Sequence, residues 1–206
     1  TGCRLHVCHV STRGSLEAVR AAKKRGVKVT CEPCPHYFIL TDEDVPAYGA
    51  NAKMNPPLRS KDDREAVIEA ILDGTIDCIS TDHAPHSDAE KALGLEKAPN
   101  GIIGLQTSFL AAYTALVATG KITLPRLVGL MSFNPAKITG LDKQGLGRLD
   151  IGSPADFALI STSVENTLKK EDLAGKSANT PFIGKTFSAA VEMTFVGGEL
   201  KYERKN

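Results

Sequence analysis

From the first residues onward, apolar positions fall into short continuous runs separated by stretches with helical spacing. Leu5 to Val10 reads as a β-rich run of strand length. Ser11 and Thr12 offer capping oxygens to the next segment, where Leu16, Val19 and Ala22 recur at helical spacing. Lys23, Lys24 and Arg25 fall in the last turn of that helix, where its dipole favours cations, and Gly26 stands just past its end. Val27 to Cys31 predicts a second strand, stopped by Pro33 and Pro35. Together these pieces make a βαβ unit.

Thr41 to Ser60 is polar and holds Pro46, Pro56 and Pro57, which predicts a long loop. Asp62 to Leu72 is amphipathic, with Ala66, Val67, Ala70 and Ile71 on one face and Gly74 as its stop. Ile76 to Thr81 predicts a third strand, and His83 to Gly104 a second long loop. Loops of that length in a compact domain usually carry function. Helices are predicted over Leu105 to Thr119 and Leu124 to Met131, with a third opening at Asn134-Pro135. From about Leu146 the texture turns to strands and turns, with Gly147, Gly152 and Pro154. Ala190 to Val196 and Glu199 to Tyr202 flank Gly197-Gly198, a hairpin signal.

Strands alternating with helices indicate a parallel α/β class, with a small β element in the tail. A (β/α)₈ barrel needs eight strands and typically about 250 residues. Three visible strands cannot close one, and the chain begins without a methionine inside what reads as a strand. The sequence therefore reads as part of a longer protein.

Composition narrows the function. With 206 residues, of which 42% are hydrophobic and 24% charged, the chain has the make-up of a globular protein rather than a disordered one. A formal net charge of +1 gives no electrostatic footprint for nucleic acid. No apolar run reaches the ~18 residues that would suggest a membrane span, and no basic segment opens a signal peptide. The five cysteines are odd in number and partly embedded in apolar runs, the usage of a cytoplasmic enzyme with reduced thiols. Cys31 and Cys34 form a lone CxxC without the second pair a zinc knuckle needs, so they read as buried small hydrophobes.

All five histidines, His6, His9, His36, His83 and His86, lie in the first 86 residues. In an α/β barrel, catalytic groups sit at the C-terminal ends of strands. The three strands end in His9, His36 and Asp82. If Leu5 and Val7 line the interior, alternation turns His9 inward and His6 away, and puts Asp82 on a face with Ile76, Cys78 and Ser80. His9 and Asp82 can then converge. An imidazole and a carboxylate are ligands for a divalent metal such as zinc, and a carboxylate beside a metal site can move protons. On residue types alone, a strand-end histidine serves equally as a hydrogen-bonded polar group and Asp82 as a loop cap. Two ligands are also fewer than the three that zinc normally takes from a protein.

The run Thr81-Asp82-His83-Ala84-Pro85-His86 resembles the TDHAPH signature of dihydroorotases, in the amidohydrolase superfamily. Lys53-Met54-Asn55-Pro56-Pro57-Leu58-Arg59 resembles that family's KMNPPLR loop, and His6-Val7-Cys8-His9-Val10-Ser11-Thr12 its HxCHxST strand. Ala98-Pro99-Asn100-Gly101 stands where the family has an APxG turn, and Gly152-Ser153-Pro154-Ala155-Asp156 resembles the return to its small β domain. The motifs run in order over nearly the whole chain. The resemblance implies an α/β fold: the C-terminal portion of a (β/α)₈ TIM-type metal-dependent hydrolase barrel over 1–142, then part of a small β domain over 143–206. It implies reversible cyclisation of N-carbamoyl-L-aspartate to dihydroorotate, with zinc as cofactor, two ions per intact site.

Residue by residue, the resemblance makes His9 a ligand of the second metal. Asp82 becomes a ligand of the first and the general base and acid. Asn55 and His86 contact substrate, while Asn100 and Gly101 offer backbone groups to the pyrimidine ring. The family's first-half metal ligands have no counterpart here, so the chain by itself is expected to be inactive. Cys34-Pro35-His36-Tyr37 is closer to a CPHY form seen in allantoinase-like relatives, which leaves His36 without a role. An allantoinase- or dihydropyrimidinase-type enzyme and a non-catalytic assembly subunit are the alternatives. Expected partners are a small-molecule substrate and either further copies of the chain or another pyrimidine-pathway enzyme.

Overall fold

A computed structural model describes residues 2–204, which form two compact units. Among the described residues the first comprises 2–108 and 168–184, the second 109–167 and 185–204.

The first unit opens with the βαβ unit that the pattern predicts. Strand β1 (Leu5–Val7), helix α1 (Arg13–Lys24) and strand β2 (Val29–Cys31) follow in order, and the strands pair in parallel with Leu5 opposite Val29 and Val7 opposite Cys31. Thr12 caps α1 by accepting the Ser15 N–H, and Leu16 and Val19 are its buried residues. Helix α2 (Lys61–Leu72) buries the four residues its spacing singles out, Ala66, Val67, Ala70 and Ile71. It packs beside α1. Arg13 crosses between them, reaching both carboxylate oxygens of Asp62 at 2.8 Å and Glu69 at 3.1 Å. The polar stretch from Thr41 is folded into short helical turns at Asp42–Asp44, Val45–Tyr48 and Gly49–Ala52, the first of them closed by a reciprocal cap between Thr41 and Asp44.

The third strand does not form as a ladder. Ile76 to Thr81 runs beside β2, where the Asp77 N–H donates to the Cys31 carbonyl and the Ser80 N–H to the Pro33 carbonyl. Two residues on one side thus match three on the other, the spacing of a bulge. The Asp77 carboxylate also takes the Cys31 N–H at 2.8 Å, an N–H that a regular ladder would give to a carbonyl. Pro33 has no N–H to offer at all. Side-chain capture and proline together end the pairing.

In the second unit, α3 (Ser108–Ala112), whose first residue belongs to the first unit, continues as a π-helical turn at Tyr113–Val117, and α4 (Leu124–Val128) does the same at Gly129–Phe133. Helix α5 (Asn134–Thr139) follows. Leu110, Leu116, Leu127 and Leu130 are buried here. Strands β3 (Phe157–Ser161), β6 (Ala190–Val196) and β7 (Glu199–Glu203) form an antiparallel sheet in the order β3-β6-β7, and β4 (Asn166–Thr167) pairs with β5 (Thr186–Phe187). Both residues of the Gly197-Gly198 turn have positive φ, 59° and 81°, which suits the two-residue hairpin the sequence predicts. No helix among the described residues is long and apolar enough to cross a membrane.

Candidate functional site

His9 and Asp82 are the only non-glycine residues with positive φ among the described residues, 58° and 48°. Such conformations cost about 1–3 kcal/mol each and persist where the surroundings over-determine them. At His9 the cause is visible. The Glu32 N–H donates to the Val7 carbonyl, and the Val10 N–H donates to the Glu32 carbonyl at 2.8 Å. A regular parallel pair would use the residue before Val10, so one extra residue is inserted at His9. The bulge breaks the alternation of faces. His6 is therefore not turned away from His9, as simple alternation predicts: both rings reach Glu32.

His9 Nδ1 lies 3.0 Å from Glu32 Oε1, and His9 Nε2 lies 3.7 Å from Asp82 Oδ1. The Ser80 hydroxyl donates to the same Glu32 oxygen at 2.6 Å. Glu32 Oε2 faces His6 Nε2 at 3.6 Å and the Cys78 thiol at 3.9 Å. The other nitrogen of His6 is tied to the Thr30 hydroxyl at 2.7 Å. Burial pushes the Asp82 carboxyl up from its ordinary value; the His9 charge opposes this and the Glu32 charge adds to it. Burial and Glu32 likewise push the Cys78 thiol up to about 12. Glu32 is the residue that sequence reasoning missed. Its one available signal is a lone charge in an otherwise uncharged run, Val29 to Pro35.

Two donor sets could meet a cation. His9 Nε2 and Asp82 Oδ1 stand side by side. His6, Glu32 and Cys78 form a second set, with donor atoms all within 4.8 Å of one another.

The substrate-binding candidates gather elsewhere in this unit. His86 Nε2–H donates to the Asn100 carbonyl at 3.0 Å, and the Gly101 N–H donates to the Lys53 carbonyl at 2.9 Å. Gly101 has φ +133°, and a Cβ there would stand 2.5 Å from Ala84 Cβ and 3.2 Å from His86 Nε2. Only glycine lets these loops close. Asn55 is exposed, two residues beyond Lys53, and joins the group along the chain rather than by a contact to it. Two buried side chains hold the cluster. Asn179 donates to the Ala84 and Gly101 carbonyls and accepts the His86 N–H. Lys91 donates to the Pro99 and Gly101 carbonyls at 3.0 and 2.9 Å. Nothing in the sequence around Asn179 announces this role.

His83, inside the same motif, accepts the Gly104 and Leu105 N–H groups on Nδ1 and shapes the chain there. His36 is fully buried, with no hydrogen-bond partner for Nε2 among the described residues. Burial, with a smaller contribution from His9, lowers it to about 3. Cys31 and Cys34 are both buried and free, with Cys34 Sγ 3.4 Å from His9 Nδ1.

The family model for the amidohydrolase family matches residues 2–201. The chain belongs to the amidohydrolase family. It therefore has an amidohydrolase-family fold. Among curated relatives of this amidohydrolase, a dihydroorotase of Bacillus caldolyticus is 52% identical over 203 residues, 98% of this chain and 47% of that protein. A dihydroorotase of Geobacter metallireducens is 53% identical over 99% of this chain and 47% of its own length. The chain spans about half the length of the curated relatives it matches. Among solved structures, the L-hydantoinase (dihydropyrimidinase) of Arthrobacter aurescens superposes with a TM-score of 0.93 at 33% identity, over 100% of this chain and 46% of that one. The dihydropyrimidinase of Brevibacillus agri gives 0.89 at 27% identity, over 97% and 44%.

Proposed function

We propose that this chain is the C-terminal portion of a dihydroorotase, an enzyme that interconverts N-carbamoyl-L-aspartate and dihydroorotate. On this reading residues 1–142 belong to a (β/α)₈ barrel wall and 143–206 to a small β domain. The observation that carries it is identity above 50% to dihydroorotases over nearly the whole chain, against 33% and 27% to the hydantoinase and dihydropyrimidinase structures above. The juxtaposed His9 and Asp82 support the chemistry.

His9 and Asp82 would hold zinc, one ligand to each of two ions, with the remaining ligands supplied outside this chain. When bound, the metal supplies Lewis-acid polarisation of the ring carbonyl. Asp82 would take the proton from the attacking water and pass it to the leaving amide nitrogen. The Asn100–Gly101 turn would present backbone groups to the ring, with Asn55 and His86 fixing the substrate beside them. The cytoplasm would be its compartment, and either copies of itself or another pyrimidine-pathway enzyme its partners.

The test is an assay of the full-length protein carrying this segment, loaded with zinc, on dihydroorotate, hydantoin and allantoin. Turnover of dihydroorotate at a kcat/KM at least tenfold above the others is the expected result. A preference for hydantoin or allantoin would move the chain to the dihydropyrimidinase or allantoinase branch. Absence of turnover on all three, with metal bound, would point to the non-catalytic subunit.

A further inference from the structure

We propose that Glu32 is the positioning residue of His9: its buried carboxylate holds the ring in the Nδ1–H form and so presents the Nε2 lone pair beside Asp82. The role given to that lone pair rests on the reading of His9 as a metal ligand; the hydrogen bond itself does not.

An ionised carboxylate can only accept hydrogen bonds, so a contact of 3.0 Å between Glu32 Oε1 and His9 Nδ1 places the proton on Nδ1. The competing acceptors around that nitrogen, Cys34 Sγ and Ser80 Oγ, are each 3.4 Å away. The Ser80 hydrogen is already committed to Glu32 at 2.6 Å. The carboxylate is also fixed from its other side, since Oε2 faces His6 and Cys78. Glu32 holds His9 a second time through the backbone, because its N–H and carbonyl frame the bulge from which the ring projects. Residue 32 thus sets both where the ring stands and which nitrogen carries the proton. Partners of this kind orient ligand histidines, and losing one typically costs 10–100-fold in metal affinity. A neutral histidine side chain without such a partner favours the Nε2–H form, which has no lone pair facing Asp82.

Two measurements test this. The first is the side-chain nitrogen spectrum of ¹⁵N-histidine-labelled protein, above the ordinary histidine pKa, with the His9→Gln variant assigning the signal. His9 should show the Nδ1–H form in the wild type, shift toward Nε2–H in Glu32→Ala, and stay mostly Nδ1–H in Glu32→Gln, whose amide oxygen still accepts. An Nε2–H wild-type spectrum, or an Nδ1–H form that persists in Glu32→Ala, would overturn the proposal; the wild-type spectrum alone suffices if Glu32→Ala does not fold. The second is Co²⁺ affinity of the full-length protein, read from its visible spectrum. It should fall about 10–100-fold in Glu32→Ala and recover largely in Glu32→Gln. A tautomer shift with unchanged Co²⁺ affinity would confirm the hydrogen bond and overturn instead the reading of His9 as a ligand.

Discussion

Around His9 the candidate functional groups are side chains held by other side chains, whereas in the cluster of loops at 84–86 and 99–101 they are largely backbone groups held by buried side chains. In the first region Glu32, Ser80, His9 and Asp82 pass contacts of 2.6 to 3.7 Å from one charged or polar tip to the next. In the second, Asn179 and Lys91 spend their donors on the carbonyls of Ala84, Pro99 and Gly101. The difference separates two tasks. A charge can be altered in the first region without moving the chain, so chemistry is lost and the fold is kept. Removing a strut in the second leaves buried backbone groups unpaired, so shape and stability are lost together.

The comparison breaks first, and furthest, at Asp82. Asparagine tolerates the left-handed backbone about as well as aspartate does, so Asp82→Asn should leave the thermal melt of the full-length protein nearly unchanged. Turnover of dihydroorotate should fall by roughly 10²–10⁴-fold, the usual worth of a positioned general base. A kcat within a few-fold of wild type would remove the His9 region from the chemistry.

Asn179→Ala should do the reverse. It leaves the Ala84 carbonyl and the His86 N–H without their partner and the Gly101 carbonyl with Lys91 alone, a loss on the order of 3 kcal/mol. Urea unfolding measures it, and in the full-length enzyme KM should rise more than kcat falls, because the loops that present Asn100 and Gly101 loosen. A loss below about 1 kcal/mol would show that Lys91 alone holds the cluster.

The smallest effect concerns His36, which lies close enough to His9 to feel its charge but is sealed in the core. Its folded-state value, about 3, lies below the ordinary 6.5. Between those values the unfolded chain binds the proton and the folded chain does not, so stability falls as pH drops through that window. The full contribution is present above the ordinary value, and near pH 5 the loss should be roughly 2 kcal/mol at about 1.4 kcal/mol per unit. Urea midpoints across the range should show that slope, and His36→Leu should flatten it. An unchanged slope in the variant would place the acid sensitivity in the His9 region instead.

Local rules carry far in this chain. The Thr12 cap, the buried stripe of α2 and the Gly197-Gly198 hairpin all follow from residue type and spacing. They do so because capping, helical period and turn conformation involve neighbours within a few residues, which a sequence displays directly. The third strand and the face of His6 depart from the pattern for one reason. Alternation assumes an unbroken ladder, and bulges at His9 and between Asp77 and Ser80 break it.

What only the tertiary structure decided is which polar group meets which. Glu32 faces His9 across 23 residues, Ser80 reaches Glu32 across 48, and Asn179 meets Ala84 across 95. Each pairing is a matter of register between segments that share no pattern, settled by the demand that every buried polar group find a partner. By itself the sequence determined the residue types capable of the chemistry and the strand ends that bear them. The distances that make a carboxylate orient an imidazole, or an amide hold two loops, exist only once the chain has closed on itself.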